Sequence, residues 1–306
     1  MFLYPVITIF LQEVISDRIF CGFTTILVLI HRTHGFVIKT MNRRQLLRYF
    51  CVGMPAIATT AATYSLQSWV LAAHNSSKVI WGYSGKRGAK NWGRLSPQFL
   101  TCRLGQSQSP INLKSAISAN IPNLQINYNP STLRIFNDGH TIGVNYDNGS
   151  MLTLNGETYE LTQFHFHHPS EHTVDGKTYP MELHLVHQSK RGFVAVVGVF
   201  LEQGNYNKLL ESLWQMMPYQ PSKEVRFPDI TINAQHLIPQ SQRVYMYYGS
   251  LTTPPCSENI YWIVFQEPLE ISTAQIQKFA GMFPMNARPV QELNSRFLLQ
   301  SPSHQS

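Results

Sequence analysis

The chain has 306 residues, 43% hydrophobic and only 13% charged, with 18 Gly and 18 Pro scattered along it. That length buries a sizeable core, and the even spread of aromatic and β-branched residues excludes wholesale disorder, collagen and coiled coil. The net charge of +7 is concentrated before Ala73, where Arg18, Arg32, Lys39, Arg43, Arg44 and Arg48 face only Glu13 and Asp17. The rest carries no Lys/Arg stripe, so no nucleic-acid partner is expected.

Two apolar runs, 1–11 and 19–30, open the chain, and both fall short of the ~20 residues a membrane helix needs. Residues 1–40 are read as a non-native extension, with the natural start expected at Met41. Paired Arg43 and Arg44 precede a polar-spotted apolar run, Tyr49 to Leu66, and small residues at Ala61-Ala62 and Leu71-Ala72-Ala73. Residues 41–73 thus resemble a twin-arginine export signal, with both small-residue sites open as cleavage points. A membrane anchor is the weaker alternative, because Thr59, Thr60, Thr63 and Ser65 make that run a poor spanning helix. No stable membrane span is expected in the mature form, which the reading places in the periplasm or outside the cell. Removal of the signal leaves Cys102 and Cys256, and an oxidising compartment favours a bridge between them.

The body, residues 78–300, shows no linker or repeat and ends in a short tail, 301–306. Alternating runs predict strands at Leu124–Tyr128, Thr132–Phe136, Thr141–Tyr146, Met151–Leu154, Thr158–His167, Glu182–His187, Phe193–Leu201, Val244–Tyr248 and Ile260–Phe265. Asn155-Gly156 predicts a tight hairpin. Helical spacing appears over Asn205–Met217, stopped by Pro218, and after Ser272 or Thr273 as a cap, with Ile276, Phe279, Ala280 and Phe283 inward. The expected fold class is α+β, predominantly β: a large, twisted, mostly antiparallel central sheet with short peripheral helices.

Seven of the twelve histidines fall between His140 and His187. His165 and His167, two apart on a strand, share one face, with Phe164 and Phe166 on the other. His184 on a neighbouring strand completes a three-nitrogen set, the pattern of a catalytic zinc site with an open fourth position. Gln163 and Glu182 each lie two residues before a ligand on its own face, where they can accept the remaining ring N–H. His168 and His187 have the wrong parity to join, and His172 is read as structural.

Three segments closely resemble α-class carbonic anhydrases of the bacterial, exported type: 163–173 (QFHFHHPSEHT), 182–187 (ELHLVH) and 251–258 (LTTPPCSE). Trp81-Gly82-Tyr83, Gln108-Ser109-Pro110-Ile111 and Asn286-x-Arg288-Pro289 extend the likeness over about residues 80 to 300. The resemblance implies a zinc enzyme (Zn2+) that hydrates carbon dioxide reversibly to bicarbonate and a proton, with residues 78–300 as its catalytic domain. It implies His165, His167 and His184 as zinc ligands, with Gln163, Glu182 and the backbone carbonyl of Asn286 holding them. Thr252 and Glu171 match the pair that orients a zinc-bound hydroxide, the threonine donating to the carboxylate and accepting from the hydroxide. His140 matches the proton shuttle, and Tyr83 a tyrosine of the solvent network. Val186, Val196, Leu251 and Trp262 match the apolar carbon dioxide wall, Thr253 lies beside the bicarbonate position, and Cys102–Cys256 matches a disulfide. Asp138 and Gly143 depart from the polar, uncharged residues common at those positions, and a carboxylate beside His140 would retune proton transfer. No oligomeric state is assigned.

Two rivals come from other classes. A cupin-type metal enzyme fits His165-x-His167-x-x-x-Glu171, with Glu171 as a ligand, but leaves the Thr252–Pro255 loop unexplained. A catalytically silent zinc-binding module fits the same histidines, and carbon dioxide hydration separates it from the enzyme.

Overall fold

The structure is a computed structural model that describes residues 26–32, 35–41, 79–121 and 124–302. The expected export signal, apart from Met41, and residues 303–306 of the tail lie outside the described residues. The chain divides into Met1–Thr63 and Tyr64–Ser306. In the first unit, Ile26–Arg32 pairs antiparallel with Gly35–Met41.

The second unit is built on a thirteen-stranded sheet. Along its main path the strands are β1 (Ile117–Ser118), β2 (Ser131–Asn137), β3 (Ile142–Asn145), β4 (Glu157–His167), β5 (Met181–Ser189), β6 (Val194–Gln203), β7 (Ser222–Ile232), β8 (Val244–Ser250), β9 (Glu258–Phe265) and β10 (Leu299–Gln300). Their order across the sheet is β7-β2-β3-β4-β5-β6-β9-β8-β10-β1. Pairing is antiparallel except for β6 with β9, β6 with Leu269–Ile271, and β10 with β1. The class is as expected from the alternating runs. Asn155 and Gly156 both take positive φ, 51° and 77°, closing the hairpin between Met151–Leu154 and β4 as their residue types require.

Period-two alternation gives the sheet two faces. One buries Phe164, Phe166, Leu183, Leu185, Val197, Val199 and Ile263 in the main core, where each large apolar side chain contributes about 1.5–3 kcal/mol. Helices α1 (Lys208–Met216) and α2 (Thr273–Ala280) cover this face, with Trp214 4.8 Å from the Phe166 ring and stacked on Phe279. Asn207 caps α1 and a Ser272/Gln275 capping box opens α2. The other face carries a smaller apolar cluster around Val186, Val196, Phe200, Tyr247, Trp262 and Val264, and beside it the histidines. The sequence reading assigns no strand to 222–232. That segment is largely exposed, rich in charge and contains Pro228, so it lacks an apolar alternation, and its pairing to β2 carries two irregularities.

Cys102 and Cys256 are bridged, with 5.0 Å between their Cα atoms across 154 residues. Closing a loop of that length stabilises the fold by about 5 kcal/mol in the chain-entropy account.

Candidate metal centre

The register of the sheet assembles the site. His165 on β4 stands opposite His184 on β5, and His167 opposite Glu182. Two residues along, Val186, Val196 and Trp262 form one cross-strand row over β5, β6 and β9. A histidine row therefore runs beside an apolar row on the same face. Gly198, opposite His184, leaves room for Glu182: a Cβ there would meet the Glu182 Oε1 at 3.2 Å.

One ring nitrogen from each of His165, His167 and His184 lies within 4.8 Å of the others. The opposite nitrogens are all engaged. His165 Nδ1 is 2.9 Å from Gln163 Oε1, His167 Nδ1 is 2.8 Å from the Asn286 carbonyl, and His184 Nε2 is 2.9 Å from Glu182 Oε1. Each acceptor obliges its histidine to donate there, which leaves His165 Nε2, His167 Nε2 and His184 Nδ1 as lone-pair donors. His167 Nε2 is buried and makes no hydrogen bond. A buried, partnerless nitrogen is what a metal ligand looks like before its ion is counted, and three neutral imidazoles fit zinc. Desolvation lowers the His167 pKa and keeps that ring neutral.

Glu182 is fully buried and accepts four hydrogen bonds: from His184 and from His172 Nδ1 (2.7 Å) at Oε1, and from the Glu171 and His172 backbone N–H at Oε2. Burial raises its pKa, but the neighbouring His172 and His184 more than reverse this and hold the carboxyl well below its ordinary range. The grouping of His172, Glu182 and His184 is thus a hydrogen-bonded cluster whose facing nitrogens carry hydrogens. His172 passes the chain on through Nε2 to the Tyr247 hydroxyl (2.7 Å), which meets Ser109 Oγ at 2.8 Å.

Glu171 is buried next to the free nitrogens, its Oε2 3.5 Å from His167 Nε2 and 3.8 Å from His184 Nδ1. Its Oε1 accepts the Arg288 backbone N–H at 2.8 Å, while Oε2 makes no hydrogen bond, so the Thr252 pairing implied by the family is not closed here. The buried Arg288 guanidinium in turn donates to the Ser109 and Cys102 carbonyls. The three histidines line a pocket together with Val186, Val196, Leu251, Thr252, Thr253 and Trp262, and with Trp81, Tyr83, Phe136, Asp138 and His140. Burial pushes the Tyr83 hydroxyl well above its ordinary pKa, with Glu171 and Asp138 adding to the effect.

His140 sits in a turn tied by Asp138, whose Oδ1 accepts the backbone N–H of His140 and Thr141, both at 2.8 Å. Gly139 between them has φ +84°. The His140 ring stacks on Trp81, centroids 3.7 Å apart and planes 9° apart. Gly143 has no room for a side chain, because the Phe136 ring occupies the place of its Cβ; this accounts for the departure at that position.

His168 Nδ1 meets the Pro284 carbonyl, and His187 faces the opposite core, bonded to the Tyr128 hydroxyl. Trp81 and Arg288 belong to matched motifs but carry no role from the sequence, and Tyr247 carries none either. Tyr247 meets its partners across 75 and 138 residues, beyond any local spacing signal.

Fold and site together define a β-rich protein with three clustered histidines that could hold a metal ion, lining a pocket they share with apolar side chains. The family model for eukaryotic-type carbonic anhydrase matches residues 87–302. A carbonic anhydrase of Nostoc sp. is 46% identical over 268 residues, covering 86% of this chain and 99% of the relative. One of Pectobacterium atrosepticum is 41% identical over 231 residues, 74% of this chain and 93% of the relative. The α-carbonic anhydrase of Thermovibrio ammonificans, solved with the inhibitor sulfanilamide, superposes with a TM-score of 0.70 at 44% identity, covering 72% of this chain and 99% of that one. The chain belongs to the α-class carbonic anhydrases, on the bacterial side of that family.

Proposed function

We propose that this chain hydrates carbon dioxide reversibly to bicarbonate and a proton at a zinc ion held by His165, His167 and His184. The observation that carries the reading is the nitrogen accounting: three imidazoles oriented by Gln163, Asn286 and Glu182, with their opposite nitrogens converging and that of His167 buried without a hydrogen bond. Zinc bound there would supply a Lewis acid that brings the pKa of water down towards neutrality, behaviour for which carbonic anhydrases are the standard example.

The chain's own residues do the rest. Val186, Val196, Leu251 and Trp262 offer an uncharged linear substrate a surface that does not compete for it with hydrogen bonds, with Thr253 at its edge. Glu171 presents a carboxylate oxygen at the ligand nitrogens, and Thr252 lines the pocket with the three histidines; a threonine hydroxyl that donates to that carboxylate turns its own lone pair to the reacting atom. His140, at the pocket wall, takes the product proton on its ring and hands it to buffer, since imidazole titrates in the working range. Glu171 is not among the three-nitrogen set, which disfavours the cupin-type reading. The disulfide suits an oxidising compartment, and among the described residues no helix is long and apolar enough to cross a membrane; we place the mature protein in the periplasm or outside the cell.

Stopped-flow carbon dioxide hydration, with and without a zinc chelator, tests the reaction: activity that survives complete zinc removal, or is absent from the zinc-loaded chain, rejects it. His140→Ala should slow turnover in weak buffer, by about 100-fold where the positioned imidazole makes its full contribution, with recovery in imidazole. Equal weak-buffer rates for the two proteins would remove His140 from the mechanism.

A further inference from the structure

Asn286 touches both ends of the proposed proton path. Its backbone carbonyl accepts from His167 Nδ1 at 2.8 Å and its backbone N–H donates to the His168 carbonyl at 2.9 Å. The side chain is buried, and each polar atom has a partner: Oδ1 accepts the His168 N–H at 2.6 Å, and Nδ2 donates to the Phe166 and His140 carbonyls, both at 2.9 Å. Four of these five bonds grip the end of β4. The fifth leaves it and crosses 146 residues to the turn of His140.

We infer that the Asn286 side chain is a positioning residue that, beside the Thr141 hydroxyl, fixes the His140 turn against the metal-ligand strand and so joins the metal corner to the shuttle. The chemistry is specific. The site demands two N–H donors for two carbonyls and one acceptor for an N–H, all on one short planar group. Asparagine supplies that set; aspartate has the same shape but turns an acceptor towards both carbonyls. On the far side, the Asp138 turn holds the His140 backbone and Trp81 stacks on its ring, while the Asn286 bond to the His140 carbonyl works beside the Thr141 hydroxyl, which bonds the Phe166 backbone, in tying the turn to the ligand strand. The consequence for turnover rests on the zinc and shuttle reading above; the positioning itself does not.

The test is Asn286→Asp, with Asn286→Ser as a second variant, folding being checked by near-UV circular dichroism. The His140 Cε1–H resonance is read in the zinc-free and zinc-loaded protein at a pH where the imidazole is neutral. In the parent it should show the upfield shift of a ring stacked on indole; in the variants that shift should be lost. Weak-buffer turnover should fall about tenfold, as expected for a displaced catalytic group, with imidazole restoring most of it. In a His140→Ala background the same substitution should cost little more, the non-additivity of residues acting through one another. An unchanged His140 resonance in a folded variant, or a full further loss in the His140→Ala background, overturns the inference. If His140→Ala alone leaves weak-buffer turnover intact, the shuttle reading fails, and the resonance still decides the positioning. Should neither variant fold, the side-chain amide hydrogens of Asn286 in the parent protein decide: slow exchange supports the clamp, and exchange as fast as in an exposed asparagine overturns it.

Discussion

His184 and His187 stand three residues apart on β5, both essentially unexposed, and the two faces of the sheet treat them in opposite ways. On the site face, an ionised carboxylate waits two residues back: Glu182 takes the Nε2 hydrogen of His184 and turns Nδ1 towards a nitrogen of His165 and one of His167. On the core face, His187 meets the neutral Tyr128 hydroxyl at 2.7 Å, no carboxylate among the described residues faces its Nδ1, and desolvation drives its pKa down to about 3 against a smaller raising effect of the Ala195 and Leu185 backbone. Burial is the same in both places. What differs is the supply of an anion and of a shared direction, and those equip a buried imidazole to hold a metal instead of leaving it a cost.

The largest way to break this contrast is to exchange the fates of the two residues. His184→Ala removes one of three nitrogens and should abolish stoichiometric zinc binding and carbon dioxide hydration together, measured by metal analysis and stopped flow. His187→Gln, which keeps a side-chain partner for Tyr128, should leave both intact in the folded protein. Zinc retained at full stoichiometry by His184→Ala, or lost from folded His187→Gln, would erase the distinction.

Much of this was legible because it is local. A period of two places His165 with His167 and sets Phe164 and Phe166 on the other face, and Gln163 and Glu182 fall two residues from their partners. The same parity separates His187 from His184. The rest depends on long-range partners. The strand over 222–232 gives no apolar alternation because its side chains face water, and only pairing with β2 makes it a strand. α1 begins at Lys208, later than the helical spacing suggests, because Asn207 serves as its cap and Asn205 instead binds Glu270. The Arg288 contact to Glu171 and the Tyr247 contact to His172 join segments 117 and 75 residues apart. The Thr252–Glu171 bond, implied by family likeness, is the one expected contact that the side-chain geometry does not close.

A sharper version of the contrast uses acid. His187 has a folded pKa of about 3 against an ordinary 6.5. Below pH 6.5 the unfolded chain binds a proton that the native chain refuses, so stability falls progressively until about pH 3, by up to about 5 kcal/mol. Glu182, depressed well below 4.5, works in a lower window: its contribution is present above its unfolded pKa and disappears only as pH falls through the folded value. Denaturant unfolding of parent and His187→Gln should therefore diverge from pH 6.5 downwards, the variant losing less. Parallel curves over that window would mean His187 does not stay neutral in the core.

The smallest and most discriminating change is Glu182→Gln, which keeps shape and removes charge. The parent carboxylate accepts two backbone N–H bonds at Oε2 and two ring N–H bonds at Oε1. An amide has one oxygen, and the backbone N–H groups of Glu171 and His172 cannot change sign, so the oxygen turns to them and the NH2 faces the two imidazoles. His184 must then accept at Nε2, which moves its hydrogen to Nδ1, the atom that faces the nitrogens of His165 and His167. The ligand is spoiled by its tautomer although every heavy atom stays in place. Zinc affinity should fall about 10- to 100-fold, roughly 1.4–2.7 kcal/mol, with the fold retained. Competition with a chelator measures it, and the His184 nitrogen shifts of the zinc-free protein report the tautomer directly. An unchanged tautomer would mean that the carboxylate's charge, and not its acceptor geometry, is what prepares this face of the sheet for metal.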